Sequence, residues 1–266
     1  DLPAPKAGTH YDVWLLAQGG EFSRNAGSVE SGEGPQTQLI YVNKDQENIL
    51  SLFDQLEVTI EADNDPNPDE SSADIIASSV FPPLALIHVR HVLVSFPTAP
   101  DGIALIQGLW GSVDDSLYTN TVELQEAFSK DDEELVRKKN EEIINQIVGN
   151  ANVNLYQDWN KDGTINNPYD DGFGLLQNGD PGYIDQGYIA QTISHAKFAA
   201  QSIDATENIK TQSVNVVLCL ENIKGWSEQL LKKALQLQEM PFGSEMGPLI
   251  AEMTKLSDLI VSGTYS

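Results

Sequence analysis

Short apolar runs alternate with glycine-rich and polar turns over the first quarter of the chain, a pattern typical of β-strands. Three segments rich in β-branched and aromatic residues predict strands at Tyr11–Leu16, Gln38–Val42 and Leu56–Glu61. The first has apolar residues on both faces, so Trp14 is expected to be buried in a central strand. Several short antiparallel strands favour a β-sandwich-like domain over residues 1–65.

From about residue 73 onward, apolar residues recur at the spacing of α-helices. The predicted helices are Leu84–Phe96, Asp101–Trp110, Val122–Ser129, Glu133–Val148, Tyr183–Ser202, Thr206–Leu237 and Gly247–Ser262. Gly225 lies inside the longest one and is expected to bend or interrupt it. Residues 156–182 predict a loop. The sequence therefore predicts an α+β protein in which a mainly helical domain, residues 66–266, follows the β-domain.

The charge balance narrows the classes of partner. The 266 residues include 40 Asp and Glu against 15 Lys and Arg, which gives a formal net charge of −25. Nucleic-acid binding requires clustered basic residues, so that class is excluded, and an anionic membrane surface is disfavoured. No apolar run approaches the roughly 18 residues that span a bilayer. The expected partners are therefore other proteins, including further copies of the chain.

A calcium-type loop is the sharpest local motif. Calcium binds six to eight oxygen atoms, and an EF-hand loop presents them from alternating positions around a glycine turn. The segment 158–171 has this D-x-N-x-D-G-x-I pattern, with Gly163 at the turn. The acid that closes an EF-hand loop is replaced by Tyr169, so a later acid is expected to close this one. The predicted Ca²⁺ ligands are Asp158, Asn160, Asp162, the Thr164 carbonyl and Asp170 or Asp171.

Three histidines form a second candidate site. His88 and His91 are three residues apart on a predicted helix, so they lie on the same face. His195, on another predicted helix, would complete a three-histidine transition-metal site with an open position. The alternative is that these histidines hydrogen-bond to carboxylates and line a contact between helices.

Motifs of nucleophilic and phosphate chemistry are absent from the sequence. There is no Gly-x-Ser-x-Gly, no His-Glu-x-x-His and no Gly-rich loop ending in Gly-Lys-Ser/Thr. Cys219, the single cysteine, lies in the apolar run Val216–Leu220 and is expected to be a buried small hydrophobe. A non-enzymatic protein is therefore expected.

Several segments, taken in order, resemble a known family. They are His10–Leu16, Leu56–Glu61, His88–Leu93, Asp158–Gly163, Asp171–Leu176, Gly182–Ile184, Ser194–Ala196, Asp204–Ile209 and Asn222–Trp226. The chain is similar to exported proteins of filamentous Chloroflexi-type bacteria that carry an anti-sigma-K factor C-terminal-like (RskA-like) domain. The anti-sigma part of this resemblance covers about residues 8–95. Ser194 departs from the family, which has Asp at that position.

The resemblance implies an extracytoplasmic protein with an N-terminal β-domain and a helical remainder that holds the D-x-N-x-D-G loop. The first residue, Asp1 rather than Met, agrees with an exported protein whose signal peptide has been removed. The first functional hypothesis is therefore a non-enzymatic, calcium-stabilised protein of the cell surface or extracellular space that assembles with itself or with other surface proteins. The alternatives are the sensory part of an anti-sigma-type regulator and a histidine-based metalloprotein.

Overall fold

The two parts of the chain differ in secondary structure as the sequence predicts. The computed structural model describes residues 4–17, 22–29, 39–66, 68–97, 102–169, 171–177 and 186–263. Its strands are β1 (Thr9–Ala17), β2 (Phe22–Val29), β3 (Gln55–Ala62) and β4 (Ile75–Val80). Its α-helices are α1 (Ile49–Leu52), α2 (Pro83–Leu93), α3 (Leu105–Trp110), α4 (Thr119–Ser129), α5 (Glu133–Val148), α6 (Tyr188–Gln201), α7 (Glu207–Glu239) and α8 (Gly247–Ser262). The α+β class is confirmed.

The strands form one antiparallel sheet in the order β2-β1-β3-β4. Strand β1 is central, and its Val13 lies opposite Val58 of β3. The sheet extends beyond residue 65, because β4 pairs with β3. A sandwich requires a second sheet against the first, and the residues that the structure describes contain only this one, so the sandwich prediction is not confirmed there.

The strand predicted at 38–42 is wrong over the four residues that are described. Residues 39–42 have no regular secondary structure, and Ile40 and Val42 are exposed; Gln38 lies outside the described residues. Strands β2 and β4 occur instead at the two sheet edges, with no fully buried residue in either. Neither strand has the alternation of buried apolar and exposed polar side chains that predicts a strand, which explains why the apolar pattern missed them.

Burial of Trp14 is confirmed. The side chain is 1% exposed, and its indole N–H donates to Thr59 Oγ1 on β3 at 2.9 Å. Tyr11, Val13 and Leu16 of the same strand are also buried. An indole buried with its N–H satisfied contributes its full apolar area to the core without a desolvation penalty.

Helices α5 and α8 have the predicted bounds, and α2, α3, α4 and α7 correspond to predicted helices with shifted ends. Helix α6 begins at Tyr188, and residues 183–185 of its prediction lie outside the described part. A π-helical segment, Gly111–Tyr118, joins α3 to α4 and was not predicted. Helix α7 runs through Gly225, so the predicted interruption does not occur. Glycine costs a helix only about 1 kcal/mol, which the buried residues on both sides outweigh.

Cys219 is exposed, contrary to the prediction. The apolar run that contains it is helical, so successive side chains point around the whole circumference of α7. Within this run only Leu220 is fully buried, whereas Leu218 is exposed. Part of the apolar surface of α7 is therefore left uncovered by the described residues.

Helix α7 is the axis of the helical part, since it packs against α5, α6 and α8, and α6 in turn packs against α2. Its core side chains include Leu230, Ala234 and Leu237, which meet Ile143 and Ile147 of α5 in one apolar cluster. Helices α6 and α7 form a hairpin, and α2 packs against α6. The candidate site lies at the contact between α2 and α6.

A close backbone crossing fixes the start of α6. Gly174 accepts a hydrogen bond from the Tyr188 N–H at 3.1 Å, and the Leu175 N–H donates to the Gln146 carbonyl at 3.2 Å. A Cβ atom on Gly174 would lie 2.5 Å from the backbone nitrogen of Gly149, so a larger residue cannot be placed there without moving backbone. The end of α5 and the beginning of α6 are thereby held together.

Candidate metal centre

The three histidines come from two helices that a carboxylate holds in place. His88 and His91 lie one turn apart on α2, and His195 lies on α6. Asp204, in the turn between α6 and α7, accepts hydrogen bonds from the backbone N–H groups of Leu84 at 2.7 Å and Ala85 at 3.2 Å. This tertiary cap satisfies the first turn of α2, which has no side-chain cap of its own. It docks α2 against the hairpin that carries His195.

The ring nitrogens converge. Nδ1 of His195 lies 3.3 Å from Nδ1 of His88 and 3.2 Å from Nδ1 of His91. The ligand atoms of the three residues all lie within 4.8 Å of one another. Four ligands arranged tetrahedrally at the 2.0–2.1 Å of a zinc–imidazole bond are about 3.3–3.4 Å apart. The two separations from His195 are close to this value, so the three residues could share one ion.

Hydrogen bonding alone does not satisfy this arrangement. In a neutral imidazole, each ring nitrogen either donates one hydrogen or offers one lone pair. Nδ1 of His195 can pair with His88 or with His91, but one hydrogen or one lone pair does not serve both. A cation bound by all three lone pairs removes the conflict.

The environment of His91 and His195 favours their neutral form. Burial, followed by the charges of His91 and His88, lowers the pKa of His195 to about 4. Burial and the neighbouring His88 also lower the pKa of His91. Phe198 packs near His88 with ring centroids 5.2 Å apart, and Phe96 near His91 at 4.9 Å. Neutral imidazole is the form that binds a metal, so at pH 7 His195 has no proton to displace.

Acidification is expected to destabilise the metal-free protein more than its His195→Leu variant. The pKa of His195 is about 4 in the folded state, below its ordinary 6.5, so the unfolded chain takes up the proton first as the pH falls. The stability contribution is complete above pH 6.5 and is lost progressively towards pH 4. Because the residue is partly exposed, the expected loss is only about 1–2 kcal/mol. Urea unfolding at about pH 7.5 and 4.5 measures it; equal pH dependence of the two proteins would contradict it.

The predicted alternative, in which the three histidines pair with carboxylates, does not describe what is seen. The structure shows these rings in contact with one another and with phenylalanines. The histidine that pairs with carboxylates is instead His10. Its Nε2 lies 3.4 Å from Asp12 Oδ1, and its Nδ1 lies 3.2 Å from Asp63 Oδ1. The contact between helices that the alternative also implied does occur.

The calcium-type loop has the sharp bend that its motif predicts. Lys161 and Gly163 both have left-handed backbone angles, with φ of 63° and 93°. The Asp158 carboxylate accepts hydrogen bonds from the N–H groups of Asp162 at 3.2 Å and Gly163 at 2.9 Å. The Asp162 carboxylate accepts one from the Thr164 N–H at 2.8 Å. The bend thus gathers the side chains of the first three predicted ligands.

Hydrogen bonds from within the loop stabilise its carboxylate charge. The Asn160 amide donates to Asp162 at 2.9 Å, and this bond, followed by the Thr164 N–H, lowers the pKa of the Asp162 carboxyl. A carboxylate retains further lone pairs after accepting such bonds, so its oxygens remain able to bind a cation.

Of the two predicted closing ligands, only Asp171 lies among the described residues. Asp171 accepts a hydrogen bond from the Phe173 N–H at 2.8 Å and another from the Tyr188 hydroxyl. Its carboxylate therefore helps to hold the beginning of α6. Asp170 lies outside the described residues.

Glu141 supports the calcium-type loop, and the sequence interpretation missed it. It lies on α5, is fully buried, and accepts hydrogen bonds from the backbone N–H groups of Asn160 at 2.9 Å and Asn166 at 2.6 Å. A buried carboxylate requires such partners. A sequence signal for this role was available. Glu141 is an acid three residues before Ile144, on the apolar side of an amphipathic helix. Glu141 anchors both ends of the calcium-type bend to the helical core.

Comparison with known protein families, characterised proteins and solved structures finds no match to this chain. The structure and the sequence are therefore the basis for assigning a role. Within the described residues, no helix has the length and apolar character that crossing a membrane requires.

Proposed function

We propose that this protein binds one transition-metal ion through His88, His91 and His195. The observation that carries the proposal is the convergence of three Nδ1 atoms at separations of 3.2 and 3.3 Å around His195. Imidazole ligands suit Zn²⁺ and Cu²⁺ among the common ions, and Cu²⁺ binds a given nitrogen site more tightly. Three protein ligands leave the fourth position open, which is the arrangement of metal sites that exchange an external ligand.

A titration in competition with a chromophoric chelator tests the proposal. The metal-free protein is expected to bind one equivalent of Zn²⁺, and His91→Ala is expected to bind it at least 100-fold more weakly. The matched control is His10→Ala, because His10 is paired with Asp12 and Asp63 on the sheet. Equal affinities of the wild type and the His91→Ala variant would refute the three-histidine site.

We also propose that the bend at 158–164 binds Ca²⁺, as its sequence motif predicts. The left-handed backbone angles of Lys161 and Gly163 support this second site. They bend the chain sharply, so that the alternating side chains of Asp158, Asn160 and Asp162 lie on the same bend. The proposed ligands are these side chains, the Thr164 carbonyl and a closing oxygen from Asp170 or Asp171. Glu141 on α5 accepts hydrogen bonds from the backbone of this loop and so holds the bend against α5.

Calcium at about 1 mM is expected to stabilise the protein by roughly 0.4–1.4 kcal/mol if its Kd lies in the 10⁻⁴–10⁻³ M range of extracellular modules. EDTA should therefore lower the melting temperature slightly and expose this bend to protease first. Asp162→Ala should abolish the response to calcium. Asp258→Ala is the matched control, since Asp258 is exposed on α8. An unchanged calcium response in Asp162→Ala would count against the site.

The two metal sites are compatible with the broader role proposed from the sequence, that of an exported, non-enzymatic protein of the cell surface. The net charge of −25 opposes close packing of copies, so any assembly is expected to need divalent cations or salt and to loosen in low-salt chelator. The alternative, a sensory part of an anti-sigma-type regulator, requires a membrane tether encoded upstream of Asp1. The sequence of the complete gene distinguishes the two.

A further inference from the structure

An apolar cavity of about 270 Å³ adjoins the three-histidine cluster. It lies between α2, α6 and α7, and His88 and His195 form part of its wall. Most of the remaining wall is aliphatic, with Val89, Val92 and Ile209 as examples. An ion held by the three Nδ1 atoms would border this cavity, because two of its ligands line it.

A second apolar cavity, of about 420 Å³, lies beside the first. The two share Val92, Leu93 and Val216, and the second extends along α7 to Trp110 and Ile260. We call these two adjoining cavities the groove; the histidines line its first part and apolar side chains line most of its second part. Leu93 and Trp110 are exposed in it. Ligand-binding pockets of proteins have this size range and this mostly apolar lining.

The charge at the head of the groove indicates which ligand fits. Three neutral imidazoles leave a divalent ion with its full positive charge beside an apolar cavity, so an anionic ligand at the fourth position is favoured. A carboxylate oxygen is an ordinary zinc ligand. Asn208 and Gln212 line the same cavity and offer amide groups that can donate to a second oxygen.

We propose that this groove binds a long-chain carboxylate, whose head group coordinates the metal ion and whose hydrocarbon tail lies along α7. The inference rests on the proposed metal site and adds the class of its external ligand. The tail covers apolar side chains that the described residues leave exposed. The ion supplies the charge that an otherwise strongly acidic protein lacks for binding an anion.

The probe is the Co²⁺-loaded protein, whose visible spectrum reports the ligand at the fourth position. Titration with decanoate is expected to change the spectrum at concentrations at least 100-fold lower than titration with acetate. Each buried methylene contributes about fourfold in affinity, and decanoate has eight more carbons than acetate. Decanol, which has the tail without the carboxylate, is expected to leave the spectrum unchanged.

A variant pair tests the groove itself. Val216 lines both cavities, whereas Val214, two residues earlier on α7, lines neither and is 66% exposed. Val216→Trp is expected to keep Co²⁺ and acetate binding and to lose most of the preference for decanoate. Val214→Trp is expected to keep that preference.

The possible failures are distinguishable. Failure to bind Co²⁺ at all would refute the proposed metal function, and the carboxylate site with it. Co²⁺ binding with equal responses to acetate and decanoate would refute the groove alone. Decanoate binding of equal strength in the metal-free protein, measured by calorimetry, would show that the metal is not the head-group site and would overturn the proposal.

Discussion

Zn²⁺ added to the metal-free protein is expected to raise its melting temperature by about 8–16 °C when the free ion is at 1,000 times its Kd. At that ratio, an ion that binds only the folded state adds about 4.1 kcal/mol to the free energy of unfolding. A domain of this size gains roughly 2–4 °C for each kcal/mol. The ligands come from two helices distant in sequence, so the unfolded chain does not present the complete site. Differential scanning calorimetry measures the shift.

The His195→Ala variant should lose this stabilisation, because α6 contributes no other histidine to the site. His10→Ala should keep it. An equal shift in the His195→Ala variant would mean that the ion acts elsewhere, for instance at the acidic bend around Asp162. Repeating the measurement with Cu²⁺ tests whether imidazole nitrogens bind the ion. At such a site, Cu²⁺ should reach the same shift at a lower concentration than Zn²⁺.

Replacing Trp14 with alanine is expected to destabilise the protein by about 3–5 kcal/mol, the usual cost of removing a large buried aromatic side chain. The side chain is 1% exposed in the central strand β1. The change would leave a cavity in the sheet core and would remove the donor from the hydroxyl of Thr59. Chemical denaturation followed by circular dichroism measures the loss.

Trp110→Ala is the matched control, since Trp110 is 56% exposed. The same substitution there is expected to cost less than about 1 kcal/mol, as for most surface positions. A loss of less than about 1 kcal/mol at Trp14 would contradict its assignment to the core. A larger loss at Trp110 would indicate that its groove is covered in solution.

The elements that the sequence predicts well are those with strong local signals. Helix α5 begins at the residue after its cap, Asp132, whose side chain accepts a hydrogen bond from Leu135, and it carries a clear apolar face. Strands β1 and β3 are rich in β-branched and aromatic residues. By contrast, β2 and β4 are defined by their pairing partners, and the apolar residues at 39–42 found no partner strand among the described residues. Long-range pairing is not encoded in local periodicity.

The candidate sites divide in the same way. The spacing of His88 and His91 indicates one helix face, and the bend at Gly163 follows from its motif. The sequence also supports the hypothesis that His195 joins these two histidines, and the structure brings the three together. The contact that holds them there, Asp204 capping α2 from a turn about 120 residues away, was not predicted. The anchoring role of Glu141 likewise depends on where the loop folds back on α5. Tertiary contacts of this kind become visible only in the structure.

The separation of the metal ligands along the chain has a consequence for the order of folding events. His88 and His195 are 107 residues apart, so the complete site forms only after α2 has docked on the α6–α7 hairpin. We expect this long-range contact to form late in folding, because loop-closure entropy opposes it. The ion should therefore slow unfolding with little effect on the rate of folding. Metal uptake would then mark chains that have completed their fold, and a nascent chain that ends before α6 would offer only two of the three ligands.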